Sequence, residues 1–297
     1  MLVGRVWTRR EYLLAPAMAI AASLASAQGS GPKDFNAYVL KAVDTIASSE
    51  YFGKGYDSKA FTHALPFGKA DPLAAQDPPY TMCVAAQLEV VLTALDIYAK
   101  ETGDYSAYEF LPKASWQRLR PTDLRGQVWV VRYAASYGTA DAFANFGMGE
   151  HVPFEKLKPG SFVNLNRTNK TGHAVTFLGY LDATGSNLDV YSSKVAGFKY
   201  FSSQGTKDSG GFGYRYAFFG ANCPTLEDGK RRDCKVIRST SQKMLNTGIL
   251  WSPVSWDKAK AKLQLDRAAV FSRSGEEKMI RDGQFNDKFF NGRTTDD

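Results

Sequence analysis

Cysteine and histidine are scarce in this chain, with three of each in 297 residues. There is no HExxH, no CxxC pair, and the histidines (His63, His151, His173) are scattered, so no metal site and no other cofactor are expected. Long apolar runs are missing too. The longest, Leu13 to Leu24, is too short to span a bilayer, so no integral membrane segment is expected once the N-terminus is processed. Gly147-Met148-Gly149 and Gly210-Gly211-Phe212-Gly213 lack the strand-then-helix setting of a phosphate loop, which argues against a nucleotide site. No repeat or low-complexity tract is present. Lysine and arginine outnumber the acids for a net charge of +7, yet they are dispersed, so no nucleic-acid surface is expected.

What the N-terminus does contain is an export pattern. Arg5, Arg9 and Arg10 precede the apolar stretch, and Ala25-Ser26-Ala27 fits a signal-peptidase site, so residues 1–27 read as a cleavable bacterial signal. Thr8 to Leu14 is similar to the twin-arginine form, with an ordinary export signal as the alternative. The mature protein is expected in the periplasm or secreted. Its charge of +5 suits an anionic cell-envelope polymer, peptidoglycan foremost.

An oxidising compartment changes how the cysteines read. Cys223 and Cys234 bracket a short polar stretch with turn chemistry at Asp228-Gly229, and a disulfide closes such a loop easily. Cys83 is then left as a free thiol, either a small buried apolar residue or a nucleophile.

Along the chain, Asp34 reads as the N-cap of a helix whose Phe35, Val39, Leu40, Val43 and Ile46 share a face. Residues 51–80 are rich in Gly, Pro and Asp and read as a long ordered loop. A second helix is expected from about Cys83 to Lys100, with Gly103 as its stop, and a short one from Thr139 to Phe146. Strands are expected at Gln127–Tyr133, Leu157–Asn166, Ala174–Leu181, Leu188–Tyr191 and Phe212–Phe219, and a last helix at Asp257–Phe271. Helices followed by an antiparallel sheet make an α+β fold. The expected divisions are an N-terminal helix and loop over 28–75, a main domain over 76–250 and a helical extension over 251–297.

Cys83 opens an apolar helix, where free backbone N–H groups and the positive helix end favour a thiolate and suit an oxyanion. A thiol nucleophile needs a base. His173 stands at the start of a strand beside a polar turn, whereas His63 and His151 lie in loops and read as surface or capping residues. A cysteine at a helix start, then His173-Ala-Val-Thr-Phe-Leu-Gly-Tyr180, with Leu157-Lys-Pro-Gly-Ser161 leading into the sheet, resembles the papain-like superfamily, nearest its bacterial NlpC/P60 and CHAP-type cell-wall branch. The resemblance covers about residues 76–220. It departs at Ser161, where those families carry Asp. It implies a helix carrying the cysteine packed on an antiparallel sheet carrying the histidine. It further implies a third catalytic residue after the histidine strand, for which Asp189 and Ser192 are both open, and an oxyanion-hole side chain from Gln76. The implied activity is hydrolysis of a peptidoglycan stem-peptide amide. Alternatives are a transglutaminase or glutamine deamidase with the same dyad, and a non-catalytic wall-binding module in which Cys83 is merely buried.

Overall fold

Apolar spacing sets the first element. Val39, Ala42, Val43 and Ile46 fall on one face of α1 (Asn36–Ala47) and are buried there. The N-cap position is Phe35 rather than Asp34, because residue 34 is drawn into a bridge with Trp251 and the Phe35 N–H bonds the Leu250 carbonyl at 2.9 Å. This fold comes from a computed structural model, which describes residues 33–57, 61–76, 78–118, 137–169, 171–221, 223–227 and 230–273. The expected signal over 1–27, the strand expected at 127–133 and the turn at 228–229 lie outside the described residues.

The stretch expected to be a plain loop contains a hairpin, β1 (Leu65–Phe67) with β2 (Ala70–Leu73). Then comes the central element, α2 (Cys83–Thr102). Its first turns are buried on nearly every side because the helix lies between α1 and the main sheet, and it stops where Gly103 takes φ 76°, a left-handed cap open to a residue without Cβ. Two short helices follow, α3 (Lys113–Arg118) and α4 (Thr139–Asn145).

The sheet strands are β3 (Gly149–His151), β4 (Phe162–Asn166), β5 (Gly172–Leu181), β6 (Asn187–Leu188), β7 (Gly197–Ser203), β8 (Phe212–Phe219), β9 (Arg231–Val236) and β10 (Leu245–Leu250), before α5 (Lys258–Arg273). Their order is β3-β10-β4-β5-β7-β8-β9, with β6 beside β5. The pairs are antiparallel except β8 with β9, so the sheet is mixed rather than antiparallel throughout. The α+β class holds.

The sheet curls until its last strand meets its middle. Arg167 bridges Val236, the Thr168 N–H bonds the Lys235 carbonyl at 3.0 Å, and the Ile237 N–H bonds the Asn166 carbonyl at 2.8 Å, so the end of β9 returns to the end of β4. Curling separates two apolar cores. The outer core holds α1, α2, Ala174, Phe162 and Phe201; the inner one, enclosed by the curl, holds Val163, Leu165, Val175, Phe177, Phe198 and Tyr200.

Candidate active site

Cys223 and Cys234 are disulfide-bonded with Cα atoms 5.5 Å apart, and Cys83 is buried and outside that bond. It is the first residue of α2, after Met82, whose carbonyl accepts the Ala86 N–H at 2.8 Å. In a first turn the N–H groups have no partner within the helix, and such a helix start favours the thiolate form of a cysteine.

Three hydrogen bonds fix what α2 sits on. The Ser203 hydroxyl donates to the Thr81 carbonyl at 2.8 Å, the Thr176 hydroxyl to Gln87 Oε1 at 2.7 Å, and Gln87 Nε2 reaches Ser202 Oγ at 3.4 Å. Thr176 pairs with Phe201, and carrying that antiparallel register back along β5 sets Ala174 beside Ser203 and His173 beside Gln204. Cys83, between Thr81 and Gln87, therefore lies over the Ala174 end of β5, next to His173 in the strand. The sequence candidates thus come to one end of the sheet.

They come to its two faces. Side chains alternate along a strand, and since Ala174 and Thr176 face α2, His173 shares the other face with Val175 and Phe177. There the buried imidazole meets the Tyr200 ring edge-on, with centroids 5.6 Å apart.

Around Tyr200 lies a polar cluster that the sequence did not single out. Asp233 of β9 accepts from the Tyr200 hydroxyl in a short contact, from Gln204 Nε2 at 3.1 Å, and pairs with the Arg167 guanidinium at 3.2 Å. Arg167 also donates to the Thr171 hydroxyl at 3.1 Å, and Arg215 to the Gln204 carbonyl at 2.8 Å. Burial pushes the Asp233 carboxyl up, but the Arg167 guanidinium, the His173 imidazole and the bonds from Tyr200 and Gln204 outweigh it and hold the carboxyl below its ordinary value. Burial, with the Asp233 charge, drives the Tyr200 phenol far up. One signal for Asp233 was present: it immediately precedes Cys234, so a disulfide at that spacing also pins the neighbouring acid. The stretch expected as a polar loop is, from Arg231, the strand β9.

The nominees for the third position are elsewhere. Leu188 pairs with Tyr180, seven residues beyond His173 and so roughly 23 Å along the strand at ~3.3 Å per residue, and Asp189 follows Leu188. Ser192 lies in the turn that returns to Leu181, where its hydroxyl accepts the Lys194 N–H at 3.3 Å. Neither is beside His173. The chain spends residues 189–196 in turns before β7, the strand that does flank β5. Asp189 instead lines an open cavity of about 510 Å³ with Glu155, Tyr180 and Tyr191. Gln76 is exposed in the loop ahead of α2.

The other histidines are engaged rather than idle at the surface. His151 Nε2 contacts the Asp141 carboxylate closely, and Asp141 also accepts the Tyr137 N–H at 2.7 Å. His63 stacks on Tyr51 at 4.4 Å and meets the Thr62 hydroxyl at 2.8 Å, and burial lowers its pKa. Thr62 in turn donates its N–H and hydroxyl to Glu89 of α2, at 2.5 and 2.9 Å. Among the described residues no cluster of His, Cys, Asp and Glu is arranged to hold a metal ion, and no helix is long and apolar enough to cross a membrane. No known family, no curated protein and no solved structure matches this chain.

Proposed function

We propose that the protein is an exported cysteine hydrolase that cleaves amide bonds, those of peptidoglycan stem peptides first, with Cys83 as nucleophile and His173 as base. One placement carries the reading: the cysteine outside the disulfide is the first residue of α2 and lies over the strand position next to His173. The chemistry follows from that place. A Cys83 thiolate attacks the amide carbonyl carbon, and first-turn N–H groups of α2 hold the resulting oxyanion. The C–N bond then breaks as the His173 imidazolium protonates the departing amine. Water, losing its proton to His173, hydrolyses the thioester and frees the acid. The basic charge favours an anionic wall polymer as the substrate's scaffold.

A second reading is a non-catalytic wall-binding module, favoured by the full burial of Cys83 and by the direction of the His173 side chain. Digestion of purified sacculi separates the two. The hydrolase reading expects the mature protein to release muropeptides with new amine and carboxylate termini, and Cys83→Ala to release none. Equal release by both, or sedimentation with sacculi and no release by either, contradicts it.

A further inference from the structure

Inside the curled sheet, the charge facing His173 is unbalanced without Asp233. Arg167 just beyond β4 and Arg215 of β8 bring guanidiniums to this inner face, β7 contributes the neutral Tyr200 and Gln204, and β9 contributes the Asp233 carboxylate; Cys83 lies across the sheet. An imidazolium facing two guanidiniums alone is disfavoured, and a carboxylate among them offsets part of that repulsion. Asp233 is also held firmly. Arg167, Tyr200 and Gln204 bind its two oxygens, the cross-link at Cys234 fixes the next residue, and Tyr200 places its ring edge against the imidazole.

We propose that Asp233, acting through Tyr200 and across the inner face of the sheet, is the positioning residue that sustains the His173 imidazolium, the place for which Asp189 and Ser192 are too distant. This deepens the hydrolase reading and rests on it for its catalytic meaning, since the protonated imidazole is the form that protonates the departing amine. Unlike an orienting residue on the strand next to the histidine, this one comes from a strand further round the curl.

The test is the proton NMR titration of the imidazole, which reads the coupling whether or not the protein cleaves anything. With three histidines in the chain, comparison with His173→Gln assigns the His173 signals. In Asp233→Asn the His173 midpoint is expected to fall by about one pH unit or more, the range for losing an opposite charge close by. A folded Asp233→Asn protein whose His173 midpoint is unchanged overturns the proposal. Should that variant not fold, Arg167→Gln decides: removing a guanidinium must raise the midpoint, and an unmoved midpoint again overturns it. Sacculus digestion by the wild type is read separately, so a failed coupling and a failed hydrolase reading are distinguishable.

Discussion

At the scale of single residues, Glu89 shows how burial converts a surface residue type into a pH-dependent fastener. It lies wholly inside the outer core, and burial pushes its carboxyl up to about 8 although the Thr62 N–H and hydroxyl pull it down. The folded state thus holds a proton that the unfolded chain releases near the ordinary value of 4.5. By linkage the stabilisation is complete below that value and is lost as pH rises toward about 8, at about 1.4 kcal/mol per pH unit across the window. Glu89→Gln keeps an acceptor for Thr62 and carries no charge. Urea unfolding is expected to give similar stabilities for the two proteins near the acid end and a growing advantage for Glu89→Gln toward the alkaline end. Parallel curves would mean that Glu89 is ionised and compensated in the fold. Asp233 has the opposite sign: its lowered pKa adds stability that is lost as pH falls below the ordinary carboxylate value.

At the scale of elements, the disulfide couples a small loop to the inner core. Cys223 and Cys234 are separated by 11 positions, and closing a loop of that size stabilises by about 3 kcal/mol in the chain-entropy account. Reduction is expected to lower the melting temperature by about 6–12 °C, at 2–4 °C per kcal/mol for a domain of this size. A Cys223→Ser/Cys234→Ser protein melting with the wild type would show β9 to be held without the bond. The cross-link was legible from the cysteine spacing, and α2 from its apolar residues and Gly103. β7 was not, because Phe198, Tyr200 and Phe201 bury both faces of the strand and erase the alternation that announces one. The same double burial hid which way His173 points: Ala174 and Val175 are both apolar, one in each core. Asp189 was chosen as an acid at the end of the strand expected after the histidine strand, whereas the acid whose charge couples to His173 comes from β9, more than forty positions further on.

At the scale of the whole molecule, two cores share one curled sheet, with the thiol on the outer face and the imidazole with its carboxylate inside. The α+β layout followed from the order of helices and strands; the curl did not, since the bonds from Thr168 to Lys235 and from Asn166 to Ile237 join segments that carry no mutual sequence signal. Whether this arrangement performs thiol chemistry is decided most directly by the rate at which iodoacetamide alkylates Cys83 in the native protein as pH is varied. An activated nucleophile is expected to react with a midpoint below the ordinary thiol value of about 8.5, and His173→Ala is expected to move that midpoint up. A native Cys83 that stays unlabelled across the neutral range, and reacts only once the protein is unfolded, would contradict the account and leave it a core residue.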